Sequence, residues 1–276
     1  MDDVFIGSEA VANGVLTRGR LRSRYRALFP DVYVATDAIP SLTLRAVGAW
    51  LWSRRRAVVA GTAAAAMHGA RPVNEATAIE LVYRSGRPPP GILTRNEHIE
   101  ADEIDEIAGV PVTTPARTAF DLARHRPRDI AVASLDALAA ATGITACAVQ
   151  SLVDRYARAR HWWRAVESLR LMDGGAQSEY QTMVRLALID AGLPAPTTQF
   201  TVTDGKDVAL IAMGYKAPKV AIEFGTATPE FVVKKGWKMI SATDFWANPK
   251  VVAYLMRAEV ADRGFPLWKL SRLSRA

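Results

Sequence analysis

The stretch Ser178–Phe224, SEYQTMVRLALIDAGLPAPTTQFTVTDGKDVALIAMGYKAPKVAIEF, changes its hydrophobic period once. Ser178 with Gln181 three residues later is a capping box, and Met183, Leu186 and Ala187 recur at helical spacing, which predicts a helix to Ala191. After Pro194 and Pro196 the pattern becomes strand-like. It predicts strands at Gln199–Thr203, Val208–Met213 and Lys219–Phe224, with a tight turn at Asp204-Gly205 between the first two. One helix before a run of three strands specifies a helix packed on a sheet. Outward from this core, Trp237–Ala242 reads as a last strand, and Pro249–Arg263 as a closing helix stopped by Gly264.

Gln177-Ser178, Arg185-Leu186, Asp190-Ala191-Gly192, Pro196-Thr197-Thr198-Gln199, Met213-Gly214-Tyr215 and Val220-Ala221-Ile222-Glu223-Phe224 resemble the endonuclease-like domain related to very-short-patch-repair enzymes. That domain belongs to the PD-(D/E)xK nuclease group. The resemblance implies a C-terminal restriction-endonuclease-like domain over residues 174–276. In that group carboxylates on neighbouring elements hold Mg²⁺, a hard ion that demands oxygen ligands, and the metal activates water against a phosphodiester. Carried onto this chain, the acidic positions fall on Gln181, Ala212, Glu223 and Gly225, so only Glu223 keeps a carboxylate. The segment after Phe224 is also short compared with the family. The expectation is a degenerate nuclease with no catalytic residue, no metal and no cofactor. The alternative is a metal-dependent endonuclease with displaced acids, for which Glu179 and Asp207 are the candidates. Glu223 also has a bland reading, an ion pair with Lys219 on the same strand face.

Near the N-terminus, Ser8–Ala12 reads as a short helix ended by Asn13-Gly14, and Thr17 caps a second helix, Arg18–Arg24, anchored by Leu21. Strands at Tyr25–Phe29 and Val32–Val34 flank a turn at Pro30-Asp31. Helix, turn, helix, hairpin is the order of a winged helix-turn-helix. Its second helix enters the major groove, where arginines reach guanine or phosphate. Thr17, Arg18, Arg20, Arg22, Arg24 and Arg26 are therefore the candidate nucleic-acid-binding residues, with double-stranded DNA as the partner. The competing reading is a solvated helix face.

Between these ends the sequence predicts helices at 41–53 and 61–69, strands at Ile79–Tyr83 and Ile92–Asn96 joined by a stiff turn at 87–91, and a solvated acidic loop from Glu97 to Glu106. Four helices come after it, 116–124, 129–141, 145–156 and 163–172. Arg54-Arg55-Arg56 closes the first of the middle helices, where cations suit the helix dipole, or touches the DNA backbone. His68 reads as a packing or helix-capping group.

Leu16-Thr17-Arg18, the run Tyr25–Val34, Ala60–Gly69 and Pro111–Ala123 together resemble AbiEi-type antitoxins, the transcription-regulating antitoxins of type IV toxin–antitoxin pairs. That resemblance implies operator binding by the winged helix, regulation and toxin neutralisation through the next domain, and a cognate toxin as a further partner. A pure toxin-neutralising interaction module is the rival reading. The expected architecture is a multidomain α/β (α+β) chain: a winged helix-turn-helix at 1–40, an α/β middle domain at 41–173, and the endonuclease-like domain at 174–276.

Composition is consistent with this. The 276 residues carry a net charge of +7, which favours a polyanionic partner. The single cysteine, Cys147, excludes an internal disulfide framework and points to the cytoplasm. Met1-Asp2-Asp3 does not open a signal peptide, and the longest apolar run, Ala57–Ala66, is too short to span a bilayer. A homodimer is a further expectation, and the basic tail 265–276 has three open readings: packed on the sheet, paired with a second subunit, or frayed.

Overall fold

Hydroxyl side chains open the helices at the positions where the sequence places them. Thr17, Ser41, Thr114, Thr145 and Ser178 each accept a bond from the amide three residues on, satisfying a donor the helix itself leaves unpaired. The computed structural model describes residues 4–71, 74–85, 87–225, 227–246 and 248–265. The chain divides into two compact units, Met1–Met172 and Asp173–Ala276. Among the described residues it is a mixed α/β structure with three sheets.

The first unit begins with β1 (Phe5–Ile6), α1 (Gly7–Ala12), α2 (Arg18–Arg24), β2 (Tyr25–Phe29) and β3 (Val32–Ala35). These strands form an antiparallel sheet in the order β1-β3-β2. The two-residue β1 carries no periodic signal and is absent from the sequence reading. Next, α3 (Leu42–Trp52) packs over this small sheet. Its Leu42, Ala46 and Ala49 share one apolar cluster with Ile6, Phe29 and Val32 on one side and Val59, Ile79 and Leu81 on the other. The first forty residues thus share a core with the strands that carry Val59, Ile79 and Leu81.

A five-stranded sheet comes next, with β4 (Val58–Ala60), β5 (Ile79–Val82), β6 (Ile92–Arg95), β7 (Ile104–Ile107) and β8 (Val110–Thr113) in the order β6-β5-β4-β8-β7. The helix α4 (Gly61–Met67) leaves β4 through Gly61, at φ 60°. A Cβ there would lie 2.3 Å from a Glu80 carboxylate oxygen, so the turn requires glycine. Two expectations are corrected here. β5 and β6 pair in parallel, so a stiff turn at 87–91 does not by itself join them: the chain crosses back along the sheet before β6. The acidic stretch is no solvated loop: it contains a 3-10 turn (Ala101–Glu103) and β7, and Glu103 is buried. Helices α5 (Pro115–His125), α6 (Arg128–Thr142), α7 (Ala146–Arg155) and α8 (Trp162–Arg170) then bury Phe120, Leu135, Leu138, Leu152 and Leu169 in a second core.

The second unit runs α9 (Glu179–Asp190), β9 (Thr197–Thr203), β10 (Val208–Tyr215), β11 (Val220–Glu223), α10 (Glu230–Lys234), β12 (Lys238–Ser241) and α11 (Pro249–Asp262). β9, β10 and β11 form an antiparallel meander, and α10 returns the chain so that β12 lies parallel to β11. Tyr180, Val184 and Leu188 of α9 and Val252, Met256 and Val260 of α11 pack on Met213, Tyr215 and Ile222. On other side chains of the sheet, Phe200, Val202, Ala209 and Ile211 pack with Val232 and Trp237. The expectation for the tail's Trp268, Lys269, Arg272 and Arg275 lies outside the described residues. Among the described residues no single helix is long and apolar enough to cross a membrane.

Candidate nucleic-acid interface

On α2 only Leu21 turns inward, reaching the space beside Gly7 and Tyr33. A seven-residue helix anchored by one leucine keeps its remaining positions in solvent. Arg18, Arg20, Arg22 and Arg24 are all exposed, as are Thr17 and Arg26. Thr17 Oγ1 accepts from the Arg20 amide at 3.2 Å and fixes the start of the helix. Arg26 Nη2 donates to the Ala38 carbonyl at 2.8 Å, which ties β2 to the end of the small sheet. Among the described residues, none of the four α2 arginines pairs with a carboxylate.

The other arginine sites behave differently. Arg55 makes a two-pronged pair with Glu9, at 2.8 and 2.7 Å, and Arg54 meets Asp31 at 2.8 Å. Arg56 donates to the Tyr83 hydroxyl at 2.6 Å and lies over its ring. The triplet therefore braces α1 and the β2–β3 turn against the sheet. Arg54 and Arg55 also lie at positive φ beyond the helix, so the helix-dipole reading is replaced. Asp31 is structural as well: its carboxylate accepts from the Ser8 amide and hydroxyl, at 2.9 and 2.5 Å, at the first turn of α1. Burial raises the Asp31 carboxyl, yet Ser8 and Arg54 outweigh it and hold the group below its ordinary range.

Further along, Arg117 is almost wholly buried. It binds Asp121 Oδ2 at 2.9 Å, Glu103 and the His98 carbonyl. Arg124 binds Asp121 Oδ1 and Glu97, while Arg155 pairs with Asp102 and Glu103. Glu97, Asp102 and Glu103 are thus the counter-charges of arginines on α5 and α7. Glu97, Asp121 and His125 bring one ligand atom each within 4.8 Å of one another. Arg117 and Arg124 already occupy those carboxylates, and two guanidiniums repel a divalent ion, so the donor set does not fit a metal. Burial pushes the Asp121 carboxyl up to about 6 against the pull of Arg117. Burial, then Arg124 and Arg95, push His125 down to about 3. His68 ends α4 and lies with Nε2 2.7 Å from the Thr113 carbonyl, a capping and packing role.

In the second unit, Gln181, Ala212 and Glu223 meet around one pocket of about 450 Å³, together with Gln177, Gln199 and Thr228. Gln199 has φ 46°, and the β9–β10 register skips it and Ala212 between Ile211↔Phe200 and Met213↔Thr198. One residue on each strand is left out, so the register is kept and the break is local. Here it sits where the buried residues change from the Trp237 cluster to the Tyr180 cluster. Gly225 does not line the pocket; its missing Cβ would face Thr243. Gln181 makes half of the expected capping box: its amide donates to Ser178 Oγ at 3.1 Å, while its Oε1 accepts from the Gln177 amide, one residue before the N-cap, at 2.9 Å. Glu223 Oε2 accepts from the Thr228 hydroxyl at 2.7 Å, and Lys219 Nζ donates instead to the Lys235 carbonyl, so the Glu223–Lys219 pair is corrected. Neither Glu179 nor Asp207 lines this pocket.

Residues 53–171 match the family of the AbiEi antitoxin C-terminal domain. That segment contains β4 to β8 and α4 to α8. Uncharacterized proteins MT2308 and Rv2248, from two strains of Mycobacterium tuberculosis, are each 31% identical to the chain over 116 residues. The match covers 42% of this chain and 42% of either relative's length.

Proposed function

We propose that the chain is a DNA-binding regulator of the antitoxin type, which reads duplex DNA with α2 and carries a nuclease-like second unit without hydrolytic chemistry. The observation that carries the reading is the contrast among arginines. Those on α5 and α7 or just beyond α3 are matched to carboxylates or a tyrosine, whereas Arg18, Arg20, Arg22 and Arg24 stand exposed without one. Like charges at i,i+4 on so short a helix oppose its formation, and a polyanion relieves them. The order β1-α1-α2-β2-β3, with the hairpin behind the arginine helix, supports a winged helix that delivers α2 to the major groove. The match over residues 53–171 supports an antitoxin role and a cognate toxin as partner.

The test is a titration of the DNA upstream of the chain's own gene against scrambled competitor at several salt concentrations. Arg18→Ala, Arg20→Ala and Arg22→Ala in combination are expected to lose the preference. Each phosphate contact removed flattens the salt slope by about one. Unchanged affinity and slope would remove α2 as the reader.

The pocket around Gln181, Ala212 and Glu223 supports the descent of the second unit from a nuclease, since three of the four acidic positions of that group converge there. One carboxylate, bonded to Thr228, offers too few oxygens for Mg²⁺. No cleavage of single- or double-stranded DNA is expected with Mg²⁺ or Mn²⁺. Divalent-dependent cleavage abolished by Glu223→Ala would establish the rival endonuclease.

A further inference from the structure

Between α7 and α8 the chain reads Tyr156-Ala157-Arg158-Ala159-Arg160-His161-Trp162-Trp163-Arg164. The core contacts of α8 come from Ala165, Val166 and Leu169, and neither tryptophan belongs to that cluster. Trp162 and Trp163 are consecutive residues at the first turn, with 38% and 52% of their surface exposed. Their surroundings are cationic. Arg158 and Arg160 are near neighbours in the chain, and the Arg164 guanidinium lies 5.3 Å from the centre of the Trp163 ring. Arg160 Nε donates to His161 Nε2 at 3.1 Å. Among the described residues none of these three arginines pairs with a carboxylate.

His161 itself is at φ 63° and leaves the first amides of α8 without a side-chain cap, which adds partial positive charge. Desolvation, then Arg164, Arg160 and Arg124, hold its imidazole below the ordinary histidine range, so the arginines converge on this spot. Arg160 also lines a recess of about 240 Å³ with Tyr156, Arg117, Arg124 and the Glu97 carboxylate, and neither tryptophan reaches it.

Exposed indoles interleaved with unpaired arginines match one kind of ligand. A polyanion with accessible π-faces satisfies both sets at once, because bases stack on the aromatics while phosphates meet the cations. Duplex DNA offers the charge and hides the faces. Tryptophan and arginine are also enriched at protein interfaces, so an acidic protein is the rival occupant that the test must separate. We infer that residues 158–164 form a stacking platform for single-stranded nucleic acid, with unpaired bases on Trp162 and Trp163 and phosphates on Arg158, Arg160 and Arg164. This site is separate from α2 and does not depend on how α2 binds.

The test uses the full chain and fluorescence anisotropy of a labelled oligothymidine and an oligouridine of about 16 nucleotides. Trp162→Ala with Trp163→Ala is expected to weaken binding at least about tenfold, since stacking of one base is worth that much. Trp162→Phe with Trp163→Phe is expected to restore most of it, because a ring face remains. Arg158→Ala with Arg160→Ala lowers affinity and flattens the salt dependence, whereas the triple α2 variant leaves oligothymidine binding in place. Absence of binding, equal loss in the alanine and phenylalanine variants, or loss only with the α2 variant would each overturn the platform. Displacement by poly-glutamate as effective as by oligothymidine would assign the patch to an acidic protein and overturn it too.

Discussion

Asp121 and His125 lie one turn apart on α5, and burial moves their titrations in opposite senses. His125 stays neutral in the folded chain down to about 3, while an unfolded histidine takes its proton near 6.5. Its contribution is therefore present above the unfolded value and is lost as pH falls. Asp121, raised to about 6, contributes below the ordinary carboxylate range and loses that contribution as pH rises through 6. Between about 6 and 4 the two oppose each other. His125→Gln removes one side. The stability of the parent chain relative to that variant is expected to fall by up to about 1.4 kcal/mol per pH unit from about 6.5 towards 3. Urea unfolding at half-unit pH steps reads this, and a pH-independent difference would show that His125 is solvated. The sequence displayed the Arg117, Asp121, Arg124 spacing on one helix. It could not display Glu97 and Glu103 as their partners, because those acids arrive from a separate strand edge and read locally as like charges in solvent.

Helices were legible where a hydroxyl cap preceded an apolar period, as at Thr17, Ser41 and Thr114. Of the short strands, β3, β5 and β6 were legible and β4 was not: it has three residues inside an alanine- and valine-rich run, and the direction of β6 against β5 is set by neighbours no local pattern encodes. At the scale of the element, the arginines of α2 make no contact that its stability needs. Arg18 with Arg22 and Arg20 with Arg24 are like-charged i,i+4 pairs, each opposing the helix by about 0.2–0.5 kcal/mol. No residue of α2 is fully buried. Replacing Arg18, Arg20 and Arg22 by alanine, a better helix former, is expected to leave the free chain as stable as before or more so, by about 0.5 kcal/mol. A thermal melt of the variant beside the parent measures it. A loss beyond about 1 kcal/mol would mean that these arginines hold the fold, and the functional argument for their exposure would fail.

Each unit of the whole chain has its own apolar clusters, Leu42 to Leu81 and Phe120 to Leu169 in the first, Tyr180 to Val260 and Phe200 to Trp237 in the second. The glycines and acid at 173–175 marked the change of unit in the sequence, and the units divide between Met172 and Asp173. What the sequence hid was the merging of the first forty residues into the core beyond them, carried by the Glu9–Arg55 and Asp31–Arg54 pairs and by α3. A fragment 1–172 therefore retains the contacts that position α2 within its unit and is expected to unfold in a cooperative transition of its own. On the proposed nuclease descent, glutamine, alanine and glycine at three acidic positions cost metal ligands and no apolar contact, so the unit is expected to fold without metal. If that unit assembles copies of the chain, two α2 readers act on one DNA with an effective concentration a single reader lacks. The fragment is then expected to scatter as a monomer where the full chain is a dimer. It should bind the upstream DNA more weakly, with a salt slope cut by the contacts of the missing reader. Light scattering and DNA titration of both proteins decide it. Equal copy numbers per particle and equal affinities would leave the second unit no part in assembly.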